Sequence, residues 1–205
     1  MDGSPGKKPS RIQKRNRKKI MDAALDVFSQ HGYRGATLDQ IADAAGMSKP
    51  NLIYYFDGKE AIHVALLNGL MEEWMAPIIE MDPQGDPMAE LLGYVRRKME
   101  MSHLYPRESR LFALEIIQGA PRMGPHLESS LKPVFDEKCA LIRGWMEQGL
   151  IAEMDPGHLI FSIWAMTQHY ADFDAQVQVL MPDAALARAS ANTHVVEMFR
   201  RLLTP

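Results

Sequence analysis

The stretch of this chain whose residue types could do chemistry most directly is Ser48–Glu60, which reads SKPNLIYYFDGKE. It sets two tyrosines and a phenylalanine between Lys49 and Lys59. Lysine ammonium groups bind phosphate as point charges, and tyrosine hydroxyls donate to phosphate while their rings lie against a sugar or a thymine methyl group. The stretch therefore suits a surface that contacts a long anionic polymer, with an aromatic core cluster or a cofactor cage as the alternatives.

The residues around this stretch predict a helix-turn-helix. Thr37, followed three residues later by Gln40, is a capping box that begins a short helix. Ser48 is a good N-cap for the next helix. Only Gly46 and Met47 separate the two helices, and a link this short fits a tight helix-turn-helix. In DNA-binding units of this kind the second helix enters the major groove while the first braces it.

Spacing sorts the residues of the two helices into two faces. The inward set is apolar and consists of Ile41, Ala42, Ala45, Leu52 and Phe56. The outward set consists of Lys49, Asn51 and Tyr55. Pro50 lies in the first turn, where a missing N–H costs little. Thr37 and Lys59 lie at helix N-termini, whose backbone N–H groups favour a phosphate.

Charge is distributed unevenly along the chain. Residues 1–59 carry 11 Lys and Arg against 6 Asp and Glu, whereas residues 60–205 carry 12 against 20. A basic N-terminal segment followed by an acidic remainder of the chain is typical of a protein that contacts nucleic acid at one end. A disordered, solubilising tail would explain only the basic residues up to Lys19.

The whole chain has the composition of a globular protein, with 205 residues, 46% of them hydrophobic and 24% charged. No apolar run approaches the roughly 18–20 residues that span a bilayer, and the polar N-terminus is unlike a signal peptide. The single cysteine, Cys139, fits a reducing cytoplasm, in which a pool associated with the bacterial nucleoid is expected. The motifs of phosphate loops, hydrolases and metalloenzymes are missing, so we expect no enzyme activity, metal or cofactor.

Periodicity predicts an all-α protein. Residues 1–10 have the composition of a disordered basic arm, 11–58 form the helix-turn-helix DNA-binding domain, and 59–205 form a larger helical ligand-binding and dimerisation domain. The helix after Arg11 is expected to stop at Gly32. Further helices are expected at about 59–81, 87–103, 107–118, 126–149, 157–173 and 184–203, several of them separated by proline-containing turns.

The segment Ala36–Leu66 resembles the N-terminal domain of TetR-family transcriptional regulators. A Thr-led helix, A-G-x-S and Y-x-F-x-x-K-E follow one another in that family's order. The resemblance implies an all-helical homodimer that represses transcription from a palindromic DNA operator, with its DNA affinity lowered by a small ligand. It implies DNA-facing roles for Thr37, Ser48, Lys49, Pro50, Asn51, Tyr54, Tyr55 and Lys59. The chain departs from the common pattern at Pro50 and Ile53, which bear on operator preference.

Residues 109–121 and 155–173 are similar to a branch of the family whose sensory domain binds uracil or thymine. Trp164 and Gln168 share one helical face at (i, i+4). A planar ring could stack on the indole while the glutamine amide meets the alternating N–H and C=O edge of a pyrimidine base. Alternatively, Trp164 is part of the core and Gln168 bonds to the backbone.

Three further residues are candidates for the ligand site. Arg110 and Glu115 lie on a mainly apolar helix, where a carboxylate is either paired or directed into a cavity. Trp74 lies where ligand occupancy could affect the DNA-binding head, although core packing explains it equally well. The alternative to a pyrimidine is a different small or hydrophobic effector. By the family resemblance, helices near 128–149 and 157–173 would form the dimer interface.

Overall fold

The computed structural model describes residues 10–205, so the predicted disordered arm lies outside the described residues except for Ser10. These described residues form helices and no strand, which confirms the all-α prediction. The chain divides into two compact units, Met1–Leu67 and Asn68–Pro205. The boundary expected from the sequence, between residues 58 and 59, lies earlier in the chain, inside the first of these units.

The first unit contains α1 (Arg11–Gly35), α2 (Leu38–Ala44), α3 (Lys49–Tyr55) and the beginning of α4 (Gly58–Ile79). The Ser10 side chain caps α1 through a capping box with Gln13. Helical geometry breaks at Gly32, whose φ of 64° lies in the left-handed region that glycine adopts without strain. The stop predicted at this glycine is therefore present, with one more turn before α2.

Buried side chains of all four helices form the core of the first unit. Its buried members include Ile20, Ala24, Phe28, Ile41, Leu52, Phe56 and Ile62. Each large apolar side chain of this kind contributes roughly 1.5–3 kcal/mol by leaving water. The His63 ring packs edge-on against Phe28 and Tyr33, with centroids 4.8 and 4.9 Å away. This core fixes α2 and α3 against α1.

The second unit continues through α5 (Pro87–Leu104), α6 (Pro106–Ile117), the short α7 (Gly124–His126), a π-helical turn (Leu127–Leu131), α8 (Lys132–Glu147), α9 (Pro156–Asp172), α10 (Asp174–Leu180) and α11 (Ala184–Leu203). The helices expected from the sequence are present within a few residues. The π-helical turn and the separate helix α10 were not predicted from the sequence. Only Phe173 separates α9 from α10, without the proline or glycine that marks most helix ends in this chain.

In the second unit α5 packs against α9 and α11, and α6 and α8 also pack against α9. The core residues Leu91, Val95, Ile163, Val195 and Phe199 are completely or almost completely buried. Arg97 on α5 donates to the Pro77 carbonyl 3.1 Å away and forms an ion pair with Glu80, which fixes the end of α4. Within residues 10–205 no helix is both long and apolar enough to cross a membrane.

Candidate nucleic-acid interface and ligand cavity

Local capping chemistry builds the turn between α2 and α3. The Thr37 Oγ1 atom accepts from the Gln40 N–H at 3.2 Å, and the Gln40 side chain accepts from the Thr37 N–H at 2.8 Å, which confirms the predicted capping box. The Ser48 Oγ atom accepts from the Asn51 N–H at 3.4 Å. Gly46, between the two helices, has a φ of 64°. A side chain there would cost about 1–2 kcal/mol in the left-handed region.

Burial divides α3 into two faces. Leu52 and Phe56 lie in the core, whereas Ala45 at the crossing is half-buried. Six of the eight residues assigned to DNA are exposed, namely Thr37, Ser48, Lys49, Pro50, Asn51 and Tyr54. Tyr55 and Lys59 are half-buried. The exposed six surround the N-terminal half and outer face of α3, which is the part of a reading helix that meets base edges.

Lys59 has partners inside the first unit. Its Nζ atom donates to the carbonyl oxygens of Tyr33 and Ala36, both 2.7 Å away, and lies 4.5 Å from the centre of the Tyr33 ring. An ammonium group has three N–H donors, and two of them are used here. Lys59 therefore satisfies carbonyl groups at the end of α1, a role that the sequence did not suggest.

Two residues of α1 that were not predicted as functional from the sequence hold the end of α3. Asn16 donates from Nδ2 to the Tyr55 hydroxyl at 2.9 Å. Arg17 donates to the Tyr55 carbonyl at 3.3 Å, and its guanidinium lies 4.0 Å from the centre of the Phe56 ring. The only sequence signal for them is the basic first half of α1. These contacts orient the half-buried Tyr55.

Lys49 forms an exposed ion pair with Asp39 of α2, at 2.9 Å. Exposed pairs of this kind contribute at most about 1 kcal/mol. The ammonium group can therefore exchange the carboxylate for a phosphate at little cost.

The second unit contains a cavity of about 80 Å³ that three of the predicted ligand residues share. Trp74 from α4 and Trp164 and Gln168 from α9 line it. The remaining walls are formed by Met71, Met75, Ile78, Tyr94, Lys98, Phe112 and Leu131. Trp74 is 8% exposed, and its buried Nε1 atom has no hydrogen-bond partner in the described structure. A buried donor without a partner costs about 1–3 kcal/mol, which a ligand oxygen would relieve.

Trp164 is held in place by a neighbour that the sequence did not reveal. Its Nε1 atom donates to the Tyr94 hydroxyl at 2.6 Å, and its ring packs against Phe135 and Phe161. Burial raises the pKa of Tyr94, so this hydroxyl stays neutral. Gln168 is half-buried beside it, and within residues 10–205 its amide forms no hydrogen bond. The amide therefore has both a donor and an acceptor available to a ligand.

Lys98 on α5 is the charged group of the cavity. It is only 3% exposed, and its Nζ atom lies 4.4 Å from the centre of the Trp74 ring. Burial lowers the pKa of Lys98 to about 8, and the opposing charge of Asp172 limits this fall. In the sequence Lys98 follows two arginines and reads as part of a solvated basic run, so no local signal indicates its burial.

Arg110 and Glu115 do not line this cavity. Arg110 donates to the Ala171 carbonyl at 3.3 Å. Glu115 is 3% exposed and accepts from the Arg122 backbone N–H at 2.6 Å and from the Arg122 guanidinium at 3.4 Å. The turn that it closes includes Ala120 with a φ of 51°, so its visible role is to hold the chain after α6.

Comparison with protein families decides the class of the chain. Residues 20–66 match the family described as "Bacterial regulatory proteins, tetR family", and residues 67–204 match "YcdC-like protein, C-terminal region" of the TetR families. The chain belongs to the TetR family. Its α2 and α3 are thus the helix-turn-helix of a DNA-binding transcriptional regulator, and the family assignment made from Ala36–Leu66 is confirmed.

Individual relatives agree with this assignment. The chain is 48% identical over 173 residues to the HTH-type transcriptional regulator RutR of Escherichia coli (strain K12), which covers 84% of this chain and 82% of the relative. Among solved structures, the ketosteroid transcriptional regulator KstR2 of Mycobacterium tuberculosis superposes with a TM-score of 0.76 at 19% identity, over 98% of both chains.

A second solved structure shows the same fold with both kinds of partner bound. AibR in complex with isovaleryl coenzyme A and operator DNA superposes with a TM-score of 0.70 at 19% identity, over 89% of this chain and 97% of that one. Together, the family match and the 48% identical relative describe a DNA-binding transcriptional regulator. Across residues 10–205, no three His, Cys, Asp or Glu side chains are grouped so that they could hold a metal ion.

Proposed function

We propose that this protein is a homodimeric repressor that holds a palindromic operator and releases it when its cavity binds uracil or thymine. The observation that carries the ligand proposal is the presence of Trp74, Trp164 and Gln168 in the walls of one cavity. The indole rings offer flat apolar surfaces, and the Gln168 amide offers one donor and one acceptor edge. These groups complement a planar ring with adjacent N–H and C=O groups.

The size of the cavity also favours a single-ring ligand. About 80 Å³ is well below the roughly 300–1,000 Å³ of pockets that take drug-sized molecules. The coenzyme A thioester bound by AibR is far larger, so this cavity would have to open widely to accept such a ligand. The similarity of residues 109–121 and 155–173 to the pyrimidine-binding branch of the family supports the same ligand class.

A different small or hydrophobic effector is the alternative. The cavity wall formed by Met71, Met75 and Phe112 is apolar, and methionine side chains adapt readily to a new shape. An apolar ligand, however, would leave the buried Trp74 N–H and the Lys98 ammonium without partners. Because a buried donor without a hydrogen-bond acceptor costs free energy, the polar groups of the cavity favour a ligand with oxygen acceptors.

For DNA binding we propose that the exposed residues at the start of α3 read the operator. Ser48, Lys49, Pro50 and Asn51 are exposed there, with Thr37 at the neighbouring N-terminus of α2. Since a palindrome has two half-sites, two chains are needed, and we propose that α8 and α9 pair with their copies in a partner. Phe161 of α9 is half exposed in the single chain, although it stacks on Phe135 of α8. Such a regulator would act on the chromosome in the bacterial cytoplasm.

The link between ligand and DNA is a difference in ligand affinity between two conformations of the dimer. We propose that bound ligand favours a conformation whose two α3 helices no longer match successive major grooves, roughly 34–36 Å apart. Trp74 lies on α4, which begins among the residues of the first unit. A change in α4 on ligand binding is therefore the proposed route.

Isothermal calorimetry with uracil, thymine and a panel of nucleosides and amino acids tests which of these compounds the protein binds. Gln168→Ala is expected to lose uracil binding while DNA binding survives. The matched control is Gln176→Ala, because Gln176 is an exposed glutamine on α10 that does not line the cavity. Unchanged uracil affinity in Gln168→Ala would remove this residue from the site.

A further inference from the structure

We propose that Lys98 reads a second oxygen acceptor on the ligand, so that the cavity selects a planar ring with two carbonyl groups rather than one. The inference rests on the proposed function, because it concerns the same cavity and a pyrimidine-2,4-dione as its ligand. Lys98 would be a ligand-contacting residue that determines specificity, beside the N–H and C=O pair read by Gln168.

The burial of Lys98 is the first observation. Its side chain lies in the cavity wall and is 3% exposed. In residues 10–205 its ammonium group forms no hydrogen bond and no ion pair; it lies over the face of Trp74, and the charge of Asp172 acts on it without direct contact. A buried ammonium is costly unless it is paired and hydrogen-bonded. The group is thus placed to donate to an acceptor that enters the cavity.

A second unpartnered donor lies in the same wall. The buried Trp74 Nε1 atom has no hydrogen-bond partner in the described structure, and the Lys98 ammonium lies over the ring of this same tryptophan. Both groups are N–H donors of residues that line the cavity, and neither has an acceptor among residues 10–205. An oxygen with two lone pairs is the ligand atom that this arrangement fits best.

The Gln168 amide, the Tyr94 hydroxyl and the Asp172 carboxylate cannot supply this selection. The Gln168 amide reads an N–H and C=O pair in either order, since a half-turn of its terminal torsion exchanges donor and acceptor. The Tyr94 hydroxyl already accepts from Trp164. Asp172, the carboxylate that acts on Lys98 from α9, accepts from Ser109 and does not line the cavity. A group of fixed polarity is needed to register a second carbonyl, and Lys98 is such a group.

The test pairs a change in the protein with a change in the ligand. Calorimetry would compare uracil, which has two carbonyl groups, with 2-pyridone, which retains one carbonyl beside one N–H. A hydrogen bond from a charged donor is worth roughly 10- to 100-fold in affinity. We expect the wild type to prefer uracil to 2-pyridone by about that factor. We expect Lys98→Met, which keeps an unbranched side chain one atom shorter and loses the donor, to bind both ligands with similar, weak affinity.

Lys138→Met is the matched control, because Lys138 is another buried lysine of the second unit and is 3% exposed. It does not line the cavity, and it is paired with Glu137 at 3.0 Å. We expect this variant to keep the wild-type ratio between uracil and 2-pyridone. Melting curves of both variants without ligand show that each is folded before affinities are compared.

Three results would overturn the inference. If uracil binds the wild type and Lys98→Met equally well, Lys98 does not contact the ligand, while the proposed function stands. If the wild type itself binds uracil and 2-pyridone equally, no second acceptor is read. If the wild type binds neither ligand although it binds DNA, the proposed pyrimidine effector fails together with the inference. The ratio measured on the wild type needs no variant, so a misfolded Lys98→Met protein would not leave the question open.

Discussion

The Nζ atom of Lys98 and the ring of Trp74 face each other across 4.4 Å in the wall of one cavity. Each has an unused donor, and each comes from a different helix, α5 and α4. The attraction between an ammonium and an indole face offsets part of the cost of burying the charge. This pair makes one wall of the cavity rich in donors, which is why we propose a ligand with oxygen acceptors.

Removing the buried charge of Lys98 is expected to stabilise the ligand-free protein. The folded-state pKa of about 8 lies below the ordinary value of 10.5, so between these pH values the unfolded chain binds more protons. The free energy of unfolding therefore rises with pH from about 8 to 10.5. At pH 7 we expect Lys98→Met to raise it by about 1–3 kcal/mol, since a buried charge without a hydrogen bond is replaced by an apolar side chain.

Urea denaturation at pH 7 and at pH 9.5 measures this effect. The wild type should gain stability at the higher pH relative to Lys98→Met, and the gap between the two proteins should narrow. Lys138→Met serves again as the control, because its ammonium has an ion-pair partner. Equal destabilisation of the two variants at pH 7 would argue against an unpartnered ammonium at Lys98.

Lys49 is expected to contribute to DNA binding by charge. Replacing it with alanine should weaken binding to all DNA sequences and lower the slope of log K against log salt by about 1, because one phosphate contact is lost. Stability should change by less than about 1 kcal/mol, since the pair with Asp39 is exposed. Fluorescence anisotropy at four salt concentrations gives the slope.

The control for Lys49→Ala is Lys132→Ala in the second unit, where an exposed lysine likewise pairs with an aspartate, Asp136. It should leave the salt slope unchanged. If both variants lower the slope equally, the start of α3 is not the DNA-facing surface.

The sequence and the structure suggest different roles for Lys59, and replacing this residue distinguishes them. The sequence alone assigns this lysine to phosphate, whereas the structure shows its ammonium donating to the carbonyls of Tyr33 and Ala36. Lys59→Met is thus expected to lower the free energy of unfolding by about 1–3 kcal/mol, because both bonds have a charged donor. A full unit lost from the salt slope with unchanged stability would restore the phosphate role as the main one.

Glu115 is expected to support the fold rather than the ligand. Glu115→Ala removes a buried carboxylate that accepts twice from Arg122, and breaking a buried ion pair costs about 3–5 kcal/mol. Urea denaturation gives the stability, and calorimetry below the unfolding transition should show unchanged uracil affinity. Glu147→Ala, at an exposed glutamate on α8, is the control. A loss of uracil affinity without a loss of stability would place Glu115 in the ligand site instead.

Features that depend on neighbours in the chain were predictable. The capping box of Thr37 and the cap of Ser48 are contacts between residues three apart, so their residue types and spacing suffice. The burial of Leu52 and the exposure of Asn51 follow from helical periodicity in the same way.

Features that depend on tertiary packing were not predictable. The Tyr94 hydroxyl that holds Trp164 is 70 residues away in the chain, and the carbonyls that bind Lys59 are 23 and 26 residues away. The basic run that ends at Lys98 resembles a solvated surface, and only the packing of α4, α5 and α9 around the cavity shows that this lysine is buried. The burial of a charged residue in a cavity is therefore the part of the site that could not be predicted from one sequence.

The most direct test of the account is the effect of uracil on DNA binding. The operator would be the sequence that the protein selects from a random duplex library, and its binding would be followed by fluorescence anisotropy with increasing uracil. We expect uracil to release the wild type from this DNA and to leave Gln168→Ala bound, while Gln176→Ala responds like the wild type. DNA affinity of the wild type that stays constant at saturating uracil would contradict a pyrimidine-responsive regulator.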